Sequence, residues 1–321
     1  SVEKKRAKLA EAISAGNTFK AVAQEYVEKQ GREGRAEATL VKARWHLSLL
    51  KALHARPIAD IEPVELLAEL KKIDKVGHHE AARQVRAFAS RVFCYGVATT
   101  RCKQDVAAPL VKALTTPKVT HRAAILDPVK VGQLLRAIDG FEGQITTKLA
   151  LRLAPHVFVR PGELRHADWS EIDFENAKWI IPGAKTKMRR DHHVPLSPQS
   201  LAILEEARLV TGPTGLIFPG LRSAKRPMSE NTLNAALRRM GYAKDEMTAH
   251  GFRATASTLL NESGKWRPDV IERALAHVEP GKIRRAYNHA EYWDERVAMA
   301  HWWSSHLDML RDGAQVIPLV A

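Results

Sequence analysis

The sequence predicts a mainly α-helical chain in two blocks, the second carrying a small three-stranded β-sheet. Apolar residues recur at helical spacing across residues 18–112, the period shifts to that of strands only across residues 171–196, and a basic segment with Pro117 divides the blocks. At 321 residues the chain has room for two or three domains, each with a core of its own.

Residues 2–13 read as a charged helix, studded with Lys, Arg and Glu and unlike a secretory leader, so a cytoplasmic protein is expected. The chain begins at Ser1 inside that helix, as a fragment of something longer would. Phe19, Val22, Ala23 and Tyr26 then form one helical stripe and Leu40, Ala43, Leu47 and Leu50 another. Breaks at Gly31 and Gly34, Arg56-Pro57, Glu62-Pro63 and Val76-Gly77 divide this block into four main helices. Residues 115–123 read as an exposed linker. In the second block Asp127-Pro128 is an N-cap with proline at the first helical position. Residues 171–174, 178–181 and 192–196 read as three short strands, helices resume at Pro198, and Ser229 is the expected N-cap of a helix running through Met240.

Fifty Lys and Arg against 36 Asp and Glu give a net charge of +14, and the pI is about 9.8, which points to a polyanionic partner such as nucleic acid. No apolar run has the length of a membrane span. Cys94 and Cys102 are too few for a disulfide framework or a cysteine-based zinc site and read as small buried side chains in a reducing compartment.

Four places carry chemistry. Arg160-Pro161-Gly162-Glu163-Leu164-Arg165 follows an apolar helix, where Arg160 offers a planar fork of donors to a phosphate and Glu163 orients it. Thr248-Ala249-His250-Gly251-Phe252-Arg253 opens a helix, putting His250 and Arg253 on one face at an end that favours anions. The hairpin Lys185-Thr186-Lys187-Met188-Arg189-Arg190 presents ammonium groups able to give a proton to a leaving oxygen. Leu275-Ala276-His277 precedes Tyr287, a nucleophile that needs cations around the phosphate and a proton acceptor. Taken singly, these are also what a surface ion pair, a solvated loop and a core tyrosine look like.

Their order, Arg, hairpin Lys, His-x-x-Arg, Leu-x-His and then Tyr, resembles the tyrosine recombinases, or phage integrases. The resemblance is closest to integrases of satellite phages and genomic islands (prophages), through residues 160–165, Val194-Pro195-Leu196-Ser197, residues 228–234, residues 250–257 and Ala286-Tyr287-Asn288. It implies catalytic roles for Arg160, Lys187, His250, Arg253, His277 and Tyr287, with Glu163 in support. Counting back from Val194-Pro195 favours Lys187 over Lys185. Phe158-Val159 stands where the family has Thr-Gly.

The resemblance further implies a helical, SAM-like core-binding domain over residues 18–114, a linker over 115–123 and an α+β catalytic domain over 124–310. Residues 1–17 would end a connection from a missing N-terminal arm-binding domain. The tail, 311–321, would dock on a neighbouring protomer through residues 316–320. Tyr287 would attack a DNA phosphate to leave a 3′-phosphotyrosyl link and a free 5′-hydroxyl, with Lys187 as general acid, His250 as base and no metal or other cofactor. Implied partners are double-stranded attachment sites, a homotetramer on DNA, a DNA-bending host factor and an excisionase, with no membrane. Candidate DNA contacts are Lys42, Arg44, Arg83, Arg86, Arg91, Lys185, Arg189, Arg190 and Asn231. A type IB topoisomerase, a catalytically silent repressor, and a metal enzyme built on His78-His79 or His192-His193 are the rival readings.

Overall fold

The structure, a computed structural model, describes residues 16–117, 123–186, 189–277 and 291–313, and the chain divides into two units, Ser1–Thr120 and His121–Ala321. The charged-helix reading of residues 2–13 lies outside the described residues.

In the first unit the apolar stripes become helices α1 (Phe19–Arg32), α2 (Glu37–Ser48), α3 (Pro63–Lys75) and α4 (His79–Ala98), the four expected. Local chemistry starts them: the Thr18 hydroxyl accepts from the Ala21 N–H, and Glu62 and Glu65 form a capping box on either side of Pro63. Their inner faces bury Phe19, Leu66, Val85, Phe88 and Phe93 in one core, which Leu50 joins from the turn after α2. The Thr115 N–H and hydroxyl both donate to Asp74 Oδ2, at 3.3 and 2.9 Å, so the exposed segment expected as the linker begins tied to the end of α3. One expectation needs correction. Cys94 is exposed, because it falls on the solvent side of α4 while Phe93 takes the core.

The second unit is built around α6. Helix α5 (Pro128–Asp139) starts as expected, with the Asp127 carboxylate accepting from the N–H groups of Val129 and Lys130. Helix α6 (Ile145–Val157) fully buries Leu149, Ala150, Leu151 and Leu153. The short α7 (Pro161–Arg165) leads to an antiparallel sheet of β1 (Ile172–Asp173), β2 (Lys178–Ile181) and β3 (His192–Pro195), in that order, with Trp179 opposite Val194. Helix α8 (Pro198–Thr211) follows behind its Ser197 cap.

A second sheet, β4 (Pro219–Gly220) with β5 (Ser223–Pro227), is absent from the sequence expectation, because β5 is exposed along most of its length and carries no apolar alternation. Helix α9 spans Thr232–Arg239 behind Asn231. Ser229 does not cap it: its hydroxyl pairs with Thr232 Oγ1 at 2.9 Å, in a turn just before the helix. Helices α10 (Gly251–Glu262), α11 (Pro268–Ala274) and α12 (Trp293–Asp312) complete the described unit. Helices α5 and α12 meet backbone to backbone at Gly132, where a Cβ would lie 2.1 Å from the Leu310 carbonyl oxygen.

Candidate active site

The second unit gathers its cations at the corner between α6 and α7. The chain leaves α6 through Phe158 in a left-handed conformation (φ 53°) and turns into Arg160, the N-cap of α7. Buried Glu163 holds that turn twice: Oε2 accepts the Arg160 N–H at 2.8 Å and Oε1 accepts Nη1 at 3.0 Å. The other terminal nitrogen of Arg160, Nη2, donates to the Ala276 carbonyl at 3.0 Å.

Arg253, in the first turn of α10, is only 4% exposed, so most of its guanidinium is already covered by protein groups. Its Nη1 donates to the Phe158 carbonyl, and Nη2 donates to the Leu275 carbonyl at 2.7 Å and lies 3.1 Å from His277 Nε2. Burial, then repulsion from Arg160, pushes its guanidinium down to about 10, with Glu163 and Glu272 opposing, and it stays cationic at neutral pH. Arg160, Glu163, Arg253 and His277 therefore form one cluster, braced by the corner after α11. Ala276 makes that corner in a left-handed conformation (φ 49°).

His250, half-buried, is the N-cap of α10. Thr248 Oγ1 donates to the Ala123 carbonyl and Asn234 Oδ1 accepts the Ala249 N–H, so α9 and the chain before α5 both fix this turn. Gly251 is required there, since a Cβ would sit 2.4 Å from the Ala123 oxygen.

Two neighbours of this cluster were not placed with it from the sequence, where His192 figured only as half of a metal-binding pair and Arg296 not at all. His192 on β3 is buried, its Nε2 has no hydrogen-bond partner among the described residues, and burial followed by the charges of Arg296, Arg160 and Arg253 pushes it down to about 3. Strand alternation turns His192 inward, the signal that could have flagged it. Arg296 on α12, 2% exposed, donates Nη2 to the His193 carbonyl and is pushed down to about 10 by burial. No local motif marks it.

Lys187, Tyr287 and the tail residues 316–320 lie outside the described residues. Lys185 is engaged elsewhere: its ammonium pairs with buried Glu171 and donates to the His166 carbonyl at 2.8 Å, while Glu171 also accepts the Trp179 indole N–H. Arg189, Arg190 and Asn231 are exposed. In the first unit Lys42, Arg44, Arg83 and Arg91 are exposed, Arg44 pairs with Glu37, and half-buried Arg86 donates to the Ala107 carbonyl at 3.3 Å. His46, buried beneath Lys42 and Arg91, is pushed down to about 4 by burial and then by those two cations, which places them near each other on α2 and α4. Among the described residues no three His, Cys, Asp or Glu side chains group as metal ligands, and no helix is long and apolar enough to cross a membrane.

Residues 124–293 match the phage integrase family and residues 19–113 match the phage integrase central domain. The chain is 35% identical over 313 residues to the integrase of Enterobacteria phage P4, covering 93% of this chain and 71% of that one. It belongs to the phage integrase family. This integrase is accordingly a tyrosine-type DNA strand-transferase, a site-specific recombinase. It is also 37% identical over 313 residues to the putative protein IntB of Escherichia coli (strain K12), covering 93% of this chain and 79% of that one. The fold is shared with lambda integrase, solved as a tetramer bound to a Holliday junction, at a TM-score of 0.65 and 19% identity over 85% of this chain and 82% of that one.

Proposed function

We propose that this integrase cuts and rejoins duplex attachment sites through a 3′-phosphotyrosyl intermediate on Tyr287, to integrate or excise a mobile element. The observation that carries the reading is the shared corner: Arg160 and Arg253, far apart in sequence, donate to adjacent carbonyls, Arg160 to that of Ala276 and Arg253 to that of Leu275, just ahead of His277 and the chain to Tyr287. Two guanidinium groups and an imidazole fixed beforehand stabilise charge developing on the nonbridging phosphate oxygens without reorganising during the reaction. His250 serves as proton acceptor for Tyr287, and Lys187 protonates the 5′-oxygen, since Lys185 is committed to Glu171. The bond energy is kept in the phosphotyrosine, so the reaction needs no nucleotide.

Residues 18–114 act as the core-binding domain and residues 124–310 as the catalytic domain, with Lys42, Arg44, Arg83 and Arg91 supplying salt-sensitive phosphate contacts. A homotetramer on DNA is supported by the tetrameric assembly of lambda integrase. A DNA-bending host factor and an excisionase complete the proposed partners, and the bacterial cytoplasm, at the nucleoid, is the proposed location. The test is a nicked suicide duplex carrying the core site, read on a denaturing gel. The parent protein forms a covalent adduct, whereas Tyr287→Phe binds the duplex equally and forms none. An adduct that persists in Tyr287→Phe overturns the assignment.

A further inference from the structure

We propose that Glu272 is a positioning residue for strand cleavage, holding His277 in one tautomer and supplying the anion that balances its protonated form. The inference rests on the strand-transfer reading given above. Its ground is a pair of contacts on one ring: His277 Nδ1 lies 2.8 Å from Glu272 Oε2, and His277 Nε2 lies 3.1 Å from Arg253 Nη2. A guanidinium has donors only, so Nε2 must accept; an ionised carboxylate has acceptors only, so Nδ1 must donate. Both contacts demand the same neutral form, with its proton on Nδ1. The opposite tautomer would set an N–H of the ring against an N–H of Arg253 and the Nδ1 lone pair against the carboxylate.

Glu272 holds the residue by its backbone as well. The His277 N–H donates to the Glu272 carbonyl at 3.0 Å, closing the last turn of α11 so that the carboxylate and the imidazole share one side of the corner. The charged and titratable groups around this ring come from several elements: Arg253 from α10, Arg160 and Glu163 from α7, His192 from β3 and Glu272 from α11. Glu163 is already paired with Arg160, and Glu272 is the carboxylate in direct contact with the ring.

This arrangement gives His277 a defined part when a phosphate arrives. A phosphate oxygen that takes the Arg253 donor releases Nε2, which takes up one proton from solvent and becomes a donor to the same phosphate. Nδ1 keeps its proton throughout and Glu272 stays ionised, so the imidazolium is formed beside its counter-charge. A carboxylate behind a functional imidazole fixes tautomer and orientation and stabilises the cation in this way.

Two readouts test the proposal on the full chain. In ¹⁵N-histidine NMR of the DNA-free protein, the His277 resonances, assigned by their loss in His277→Asn, show the Nδ1–H form in the parent. They shift toward a tautomer mixture in Glu272→Ala and stay Nδ1–H in Glu272→Gln, whose amide oxygen still accepts. In single-turnover cleavage of the suicide duplex, Glu272→Ala is slowed roughly ten- to hundredfold at saturating DNA, the range for a metal-ligating imidazole that loses the carboxylate behind it. Duplex Kd stays within about twofold, because most phosphate contacts lie elsewhere. Glu272→Gln, which keeps the acceptor and loses the charge, falls between parent and Ala. In a His277→Asn background, Glu272→Ala adds nothing.

An unchanged tautomer in Glu272→Ala, parental cleavage by both Glu272 variants, or an additive loss in the His277→Asn background overturns the proposal. Should Glu272→Ala misfold by circular dichroism, Glu272→Gln decides: parental cleavage overturns the proposal, and slowed cleavage with the tautomer kept supports it. Absence of adduct from the parent protein would instead defeat the strand-transfer reading, while the NMR result still judges the role of Glu272.

Discussion

In the first unit Lys42, Arg44, Arg83 and Arg91 stand in solvent over a core of Phe19, Leu50, Leu66 and Phe93, whereas in the second Arg253, Arg296, Glu163 and Glu171 lie among the buried side chains. Exposed cations cost little to keep and act on a polyanion through screened, nearly additive attraction. Buried arginines lose their hydration, and the carbonyls of Phe158, Leu275 and His193 replace it. That replacement fixes each guanidinium in place before any substrate arrives. Deleting a charge should therefore grade the behaviour of the first unit and break that of the second.

The hairpin gives the largest expected effect and the sharpest form of this contrast. Lys187→Ala should lower cleavage of an ordinary phosphodiester by roughly 10²–10⁴, the range for a lost general acid, and a 5′-bridging phosphorothiolate should restore it, since sulfur leaves without a proton. Lys185→Ala should show no such rescue. Its defect should be stability, on the order of 1–3 kcal/mol in chemical denaturation, because buried Glu171 loses its cation. Rescue that follows Lys185 instead would move the general acid to that position.

Acid should separate the units next. Burial holds His156 at about 4 and His192 at about 3, both below the ordinary value of 6.5. The unfolded chain then binds more protons than the folded one as pH falls below 6.5, so stability present at neutral pH is lost down to the folded values. By pH 5 each histidine should remove about 2 kcal/mol from the second unit. The first unit has one such residue, His46, and should lose about half as much. Urea titrations at pH 7 and pH 5, following Trp45 in one unit and Trp179 and Trp303 in the other, measure both; a second unit with the same midpoint at the two pH values contradicts the prediction.

How far the sequence could be read follows from the same contrast. Stripes such as Phe19, Val22 and Ala23 announce their helices because the pattern is local, and Asp127-Pro128 announces its cap for the same reason. Three members of the candidate site, Arg160, Arg253 and His277, were legible as spaced motifs, and the structure brings them together. Its architecture was not. Nothing local shows that Arg253 turns inward onto the Leu275 carbonyl, that His192 and Arg296 join the cluster from β3 and α12, or that Lys185 is spent on Glu171. Strand β5 escaped because neither of its faces is consistently buried, and Ser229 because its hydroxyl had a nearer partner in Thr232.

The exposed cations should give smaller, graded effects. Lys42→Ala, Arg83→Ala and Arg91→Ala should each lower the slope of log K against log salt by about 1, with stability changed by less than about 0.5 kcal/mol. Arg86→Ala should behave oppositely, losing about 1 kcal/mol with its bond to the Ala107 carbonyl and changing the salt slope little. Binding isotherms at several salt concentrations, set beside melting curves, distinguish the two patterns. A salt slope unchanged by all three surface variants would remove α2 and α4 from the DNA contact.

The smallest expected effect lies at the corner itself. Ala276 holds φ at 49°, where the Cβ of an L-residue crowds the following carbonyl at a cost of about 1–2 kcal/mol. The surroundings impose it: its own carbonyl accepts from Arg160, the Leu275 carbonyl accepts from Arg253, and its N–H donates to the Arg273 carbonyl. Ala276→Gly removes the crowding while keeping all three bonds, but gives the unfolded chain about 0.4–1 kcal/mol of extra conformational entropy to lose. The net gain should be under about 1 kcal/mol, a rise of roughly 1–3 °C in the Tm of the second unit. A bulkier β-branched residue should have the opposite sign, so Ala276→Val should lower Tm by more than glycine raises it. If glycine instead lowers the Tm, the left-handed corner is not strained, and the two arginines would be holding a conformation that the chain already prefers.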